Sequence, residues 1–161
     1  MTDGVGEPHY AAQRLYRLYC SRRLPRYSRA MLKSSPLIAF VSTTDLDRAR
    51  WFYEETLDLI FVEKSPFACV FDACGTMLRV TRVDRVTPAD YTVLGWQVAD
   101  IGTAVDGLAA RGVTFKRYDG MDQDSAGIWT TPGGDRVAWF CDPDGNTLSM
   151  TEFANATPAR S

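Results

Sequence analysis

One pattern occurs twice in this chain, and no single feature limits its possible folds more. The first copy opens with an apolar run at 37–41, continues through a helix signature over 44–57, and ends in extended runs around 60–64, 67–71 and 76–83. The second opens at 93–98, continues through a helix signature from Asp100 to Gly112, and ends in runs around 113–117, 127–131, 136–141 and 146–153. Two registers tie the copies together. Thr44-Asp45-Leu46 matches Ala99-Asp100-Ile101, and Asp72-Ala73-Cys74-Gly75-Thr76 matches Asp142-Pro143-Asp144-Gly145-Asn146. In the second register a turn ending in glycine launches a strand, as turn chemistry favours. Each unit therefore reads strand–helix–strand–strand–strand. The second copy has one run too many, unless 113–117 is short.

Local signals support each piece. Thr44 is expected to cap the first helix with Asp47 as its capping-box partner, and Asp100 to cap the second. Leu46, Ala49, Phe52, Tyr53 and Leu57 form the apolar stripe of the first helix; Ile101, Ala104, Val105 and Leu108 form that of the second. Strand alternation puts Leu37, Ala39, Val41, Leu78, Val80, Leu94, Trp96, Val98, Leu148 and Met150 against the helices. The opposite face holds Ile38, Phe40, Ser42, Met77, Arg79, Thr81, Val93, Gly95, Gln97, Thr147, Ser149 and Thr151. That face mixes apolar, hydroxyl, amide and cationic groups, and Gly95 is expected to leave room there, as small-molecule pockets do.

Charge divides the chain unevenly. Residues 1–30 carry six Arg against Asp3 and Glu7, a net of +4, which leaves 12 basic and 18 acidic residues, a net of −6, in the remainder. An acidic body without basic patches argues against nucleic acid as a partner. No apolar run approaches the roughly 20 residues of a membrane span. Cys20, Cys69, Cys74 and Cys141 form no CxxC pair, which fits reduced thiols and a cytoplasmic location. Cys69 and Cys141 are expected in the core. The chain divides into a basic N-terminal tail over 1–33, a domain over 34–154 with modules of about 36–83 and 91–153, and a disordered C-terminal tail over 155–161. For the N-terminal tail several readings stay open. Ala12, Leu15, Tyr16 and Tyr19 have helical spacing, so the tail is weakly helical and membrane- or partner-facing, a transit peptide, disordered, or an extension upstream of a start at Met31.

The paired units resemble the vicinal oxygen chelate superfamily of glyoxalases, bleomycin-resistance proteins and extradiol dioxygenases. The resemblance rests on Thr44-Asp45-Leu46, Phe52-Tyr53 and Leu57-Asp58-Leu59, and on the run from Trp139 to Leu148 with its Asp142-Pro143-Asp144-Gly145 turn. It covers roughly residues 36–153. It implies an α+β fold, with two βαβββ modules forming a curved mixed sheet around a cavity. It also implies a homodimer, in some relatives with sites shared across the interface.

Metal-using relatives place ligands seven residues before each helix-capping Asp and four after each turn glycine. Here those positions read Ile38, Val93, Arg79 and Ser149, none of them a ligand for a divalent metal. The only histidine, His9, lies outside the body. No metal and no cofactor are expected. The resemblance then favours a metal-independent protein that binds a small organic molecule, as the bleomycin-resistance branch does. The expected ligand-binding residues are Arg79, Phe40, Thr81, Gln97, Ser149, Thr151, Trp129 and Tyr118. A buried guanidinium needs a partner, so Arg79 either grips an anionic ligand group or pairs internally with Glu63, Glu152 or an Asp. Phe67, Tyr118, Trp129 and Trp139 are placed at the rim, and the polar loop 118–125 is read as a flexible lid. Two alternatives remain. One is a lyase, isomerase or transferase using an atypical acid or base such as Glu152, Asp135 or a cysteine. The other is a non-catalytic protein whose dimer surface is its purpose.

Overall fold

The computed structural model of the protein describes Leu32 and residues 35–155. The expectations for the N-terminal and C-terminal tails, Leu32 and Asn155 apart, lie outside the described residues. The first module runs β1 (Ile38–Thr43), α1 (Leu46–Trp51), β2 (Ile60–Lys64), β3 (Ala68–Ala73) and β4 (Thr76–Arg82). The second runs β5 (Leu94–Gln97), α2 (Ile101–Ala110), β6 (Trp129–Thr130), β7 (Arg136–Cys141) and β8 (Thr147–Glu152). The sheet is built as two four-stranded mixed halves, ordered β1-β4-β3-β2 and β5-β8-β7-β6. In each half the opening strand pairs in parallel with the last and the others pair antiparallel. The run 113–117 contributes only an isolated bridge between Phe115 and Phe140, which accounts for the surplus strand.

The helices form where the sequence signals them, with one shift. Asp45, not Thr44, caps α1; its carboxylate accepts from Asp47 N at 2.9 Å and Arg48 N at 3.1 Å. Two of the N–H groups that a helix start leaves open are thereby satisfied. Thr44 is drawn off to another partner, described below, and Asp47 pairs with Lys64 instead of closing a capping box. Asp100 caps α2 as expected, accepting from Thr103 N at 3.0 Å. Helix α1 widens into a π turn over Phe52–Thr56, closed by Leu57 N on Phe52 O at 3.0 Å. The wider turn lets the consecutive residues Phe52 and Tyr53 both enter the core.

One hydrophobic core joins the modules. Val41, Leu78, Val80, Leu148 and Met150 are buried in it, and Ala39, Leu94, Trp96 and Val98 pack against it. Tyr53, Phe71 and Phe140 are its largest fully buried side chains. Each contributes about 1.5–3 kcal/mol by leaving water. Two residues depart from the expected pattern. Leu37 precedes β1 and is 74% exposed. Cys141 stands half-buried outside the core cluster, because its register partner Thr147 belongs to the other face. Cys69 is a core thiol, and burial pushes its pKa up.

A polar clasp also ties the modules together. Asp144, in the β7–β8 turn, accepts from Thr43 Oγ1 at 2.6 Å, Thr44 N at 3.0 Å, Thr44 Oγ1 at 2.6 Å and Arg48 Nη2 at 2.8 Å. Beside it the buried Asp142 accepts from Tyr53 OH at 3.0 Å, Asn146 Nδ2 at 2.7 Å and the Asp144 and Asn146 backbone amides at 2.9 Å. Asn146 Nδ2 also reaches Ser42 O at 2.8 Å. Burial raises the Asp142 pKa against the pull of these donors. For Asp144 burial works upward too, but Thr43, Thr44 and Arg48 together bring it below its ordinary value. Tyr53 is pushed well up, first by burial and then by the Asp142 charge.

Candidate functional site

The face of each sheet turned away from the helices is the candidate site. Cross-strand register sets out its rows. In the first sheet Ile38 lies beside Met77, Phe40 beside Arg79, and Ser42 beside Thr81. In the second, Gly95 lies beside Ser149 and Ser149 beside Trp139; Gln97 lies beside Thr151 and Thr151 beside Val137, whose other neighbour is Trp129. The clasp joins the two faces at one end. Asn146, adjacent to Thr147 at the start of β8, holds Ser42 near the end of β1.

Arg79 is half-buried in the middle of the first sheet, between Phe40 and Val70. Among the described residues no carboxylate lies within 4.0 Å of its guanidinium. Each internal partner the sequence offers is elsewhere. Glu152 pairs with Arg136 at 3.3 Å and accepts Ile101 N at 2.8 Å. Glu63 lies one strand further out, beside Val70, and forms no ion pair among the described residues. Phe40 next to Arg79 is 62% exposed, a large apolar side chain open to solvent. Thr81 and Thr151 are half-buried on the same face, while Ser149 is buried. Gln97 is exposed at the end of β5 and also borders an apolar groove of about 330 Å³ on the helix side, lined by Leu57, Leu59, Trp96 and Leu108 among others.

Two features of the second sheet differ from expectation. The space above Gly95 is taken: a Cβ there would come within 2.8 Å of Ser149 Oγ. The loop 118–125 is pinned rather than free. The Gln123 amide accepts Tyr118 N at 2.8 Å and donates to Lys116 O at 3.0 Å and Gly127 O at 2.8 Å. Asp124 Oδ1 accepts both Ala126 N and Ile128 N, and the Arg117 guanidinium donates to the Asp124 and Ser125 carbonyls.

Three of the four rim aromatics come together. Tyr118 meets Trp139 edge-to-face at 5.4 Å, and Trp129 lies 6.2 Å from Trp139. Phe67 stands apart, exposed at the β2–β3 hairpin.

Lys116 is a member of this face that the strand reading passed over. Its Nζ donates to Thr147 Oγ1 at 3.1 Å and lies 5.3 Å from the Tyr118 ring centre. Alternation within 113–117 carries the signal, since Val113 and Phe115 pack on the core and Lys116 follows at the alternate position. The acids considered for catalysis are held structurally. Glu152 is engaged as above, and Asp135 Oδ1 accepts Ala154 N at 2.9 Å.

The positions that hold a metal in metal-using relatives do not fit one here. Ile38 and Val93 offer no donor atom, Arg79 offers a cation, and Ser149 offers one hydroxyl. Among the described residues no three His, Cys, Asp or Glu side chains come close enough to hold an ion.

A family model described as the Glyoxalase/Bleomycin resistance protein/Dioxygenase superfamily matches residues 37–150. A solved member of that superfamily from Sphaerobacter thermophilus DSM 20745 is 26% identical, with a TM-score of 0.59 over 78% of this chain and 99% of that one. A glyoxalase/bleomycin resistance protein/dioxygenase from Nocardioides (18% identity, TM-score 0.58, 91% and 99% covered) shares the fold. So does the lactoylglutathione lyase from Agrobacterium tumefaciens (18%, 0.57, 78% and 94%). No curated protein matches the chain.

Proposed function

The chain belongs to the glyoxalase/bleomycin resistance/dioxygenase superfamily, and on that premise we propose that it binds a small organic molecule without a metal, gripping an anionic group of the ligand with Arg79. The observation that carries this reading is the half-buried Arg79 guanidinium with no carboxylate beside it among the described residues. A guanidinium removed from water is stabilised by an acid group and matches a carboxylate or phosphate with two parallel hydrogen bonds. Phe40 supplies apolar surface next to it, and Thr81, Ser149 and Thr151 supply hydroxyls. The protein acts as a homodimer, because Ile38, Phe40 and Val93 leave an apolar strip exposed on the site face that a second copy would cover. It works in the cytoplasm, consistent with the free thiols of Cys69, Cys74 and Cys141. Among the described residues no helix is long and apolar enough to cross a membrane.

The test is a thermal-shift screen of divalent ions, small carboxylates and phosphates against the full chain, with Arg79→Ala alongside. The expected result is no response to metals, and a shift of several degrees with an anionic compound that the variant loses. A stoichiometric metal with a metal-dependent shift would overturn the reading.

A further inference from the structure

We propose that the apolar groove on the helix side is a second binding site. It takes a hydrocarbon chain ending in a carboxylate, and Arg111 grips the acid. This site is separate from the site face and does not depend on Arg79.

The groove draws on both modules. Leu57 and Leu59 come from the first, Trp96 and Leu108 from the second, and the buried Phe140 and Met150 also line it. Its volume of about 330 Å³ equals that of about eleven waters at roughly 30 Å³ each. A ligand of roughly ten non-hydrogen atoms would fill it. Apolar walls with one or two polar groups are the usual make-up of a small-molecule pocket.

Gly107 gives the groove its room. Helical spacing puts Ala104, Gly107, Leu108 and Arg111 on one face of α2 and its C-terminal cap, and all four line the groove. A glycine inside a helix weakens it relative to alanine. Two things commonly require one there, a positive φ or a close neighbour. Gly107 has neither: its φ is not positive, and a Cβ there would meet no atom within 4 Å outside its own stretch of helix. Its effect is to leave the groove open along α2.

Charge sets the ligand class. Among the described residues Arg111 is the one charged side chain that lines the groove. Its Nη1 donates to Thr56 O at 2.9 Å, which ties the guanidinium to the end of the π turn. Nε and Nη2 donate to nothing among the described residues, and no carboxylate there lies within 4.0 Å. Those two nitrogens form an edge that matches a carboxylate with two parallel hydrogen bonds. Arg111 is exposed, so the acid stays in reach of water while the tail enters the apolar walls. Octanoate, with about ten non-hydrogen atoms, suits both the volume and the charge.

The probes are butanoate, octanoate and octanol, titrated by calorimetry against the native full chain, Arg111→Met, Gly107→Leu and Arg79→Ala. Octanoate should bind at least about tenfold more tightly than butanoate, because each methylene that leaves water adds to affinity. Arg111→Met should weaken octanoate about tenfold and leave octanol as it was. Damage to the fold from losing the Thr56 bond would weaken both alike, so their ratio isolates the grip on the acid. Gly107→Leu should abolish octanoate binding with a melting temperature unchanged or raised, since the helix gains a better former. Arg79→Ala should bind octanoate like the native chain. Loss of octanoate in Arg79→Ala would move it to the site face and overturn the proposal. So would equal binding of the two acids, or an octanoate-to-octanol ratio unchanged in Arg111→Met. Unchanged binding in Gly107→Leu would place the acid in the cleft on the other side of Arg111, which Trp51 and Pro143 line, and overturn it too. No binding of octanoate by the native chain also overturns it. In that event a Gly107→Leu dimer that sediments as a monomer names a second copy as the occupant. Faster tryptic cleavage at the six arginines of residues 1–30 names the chain's own N-terminal segment.

Discussion

The same two positions in the two modules have opposite fates. Phe40 stands five residues before the helix-capping Asp45, and Gly95 five before Asp100; Arg79 stands four after Gly75, and Ser149 four after Gly145. Both pairs are direct cross-strand neighbours in parallel ladders, Phe40 beside Arg79 and Gly95 beside Ser149. In the first module an exposed phenyl ring lies beside a half-buried cation with no carboxylate within 4.0 Å among the described residues. In the second the glycine is exposed, but Ser149 Oγ lies 2.8 Å from where a Cβ would stand. Duplication thus keeps the backbone and frees the side chains. The half-buried cation Arg79 sits on one sheet, and the buried hydroxyl of Ser149 takes the matching place on the other.

The turns divide the same way. Asp72 and Asp142 open turns that match in sequence and differ in backbone: Cys74 and Gly75 both have positive φ in the first, Gly145 alone in the second, and each Asp accepts backbone N–H of its own turn. The first turn is a solvent turn ending at exposed Cys74 and Gly75. The second places Asp144 against four donors of the other module. Asp144→Ala should therefore be the most damaging change, costing about 2–3 kcal/mol because hydrogen bonds to a charged group are lost and Thr43 is left buried with fewer partners. Asp72→Ala should cost below about 1 kcal/mol, since only the Gly75 N–H is released. Urea unfolding of both variants measures this difference, and equal costs would mean that the clasp does not bind the modules together.

The matching positions Phe40 and Gly95 give the next effect. Gly95→Ala should destabilise by roughly 1–2 kcal/mol through overpacking against Ser149. Adding Ser149→Ala should return most of that loss, a coupling readable in a double-mutant cycle. Phe40→Ala, at the matching position, should stay within about 0.5 kcal/mol in the dissociated monomer, measured at a protein concentration below dimer formation, as exposed sites do. A rigid site at Phe40 or a tolerant one at Gly95 would erase the contrast between the sheets.

These differences explain what the sequence makes legible. The buried strand positions Val41, Leu78, Val80, Leu148 and Met150, the Asp100 cap and the helix end near Gly112 all follow from residues within a few places of one another. Period-two alternation and capping chemistry are local. The failures are mostly non-local. Thr44 looks like a helix cap because nothing nearby shows that Asp144, 100 residues away, claims its hydroxyl and its N–H. The loop 118–125 is the local failure: it looks free because Gln123, Asp124 and Arg117, the polar side chains that restrain it, are of the kind a solvated turn also carries. Gly95 looks like empty space because Ser149 is distant in sequence. Arg79 was legible as a candidate; that Glu152 prefers Arg136 depends on which face β7 and β8 share.

The smallest effect separates the two acids of the clasp by pH. Asp144 has its folded pKa below the ordinary value of 3.8, so its contribution is complete above that value and is lost as pH falls through the lower, folded one. Asp142 is shifted the other way. Its folded carboxyl holds a proton more readily than the unfolded chain does, so it adds stability as pH falls through its raised pKa toward 3.8. The native protein should gain slightly on mild acidification and then lose stability more steeply below about pH 4. Asp144→Asn should make the lower limb shallower and leave the mild rise intact. It will not flatten that limb, because the caps Asp45 and Asp100 are also shifted down, by bonds to the backbone of their own helices. Asp142→Asn should remove the rise and keep the lower limb. Urea midpoints across this range decide the matter. If Asp144→Asn runs parallel to the native protein at every pH, the charge of Asp144 contributes nothing to holding the modules together, and the clasp works through neutral hydrogen bonds alone.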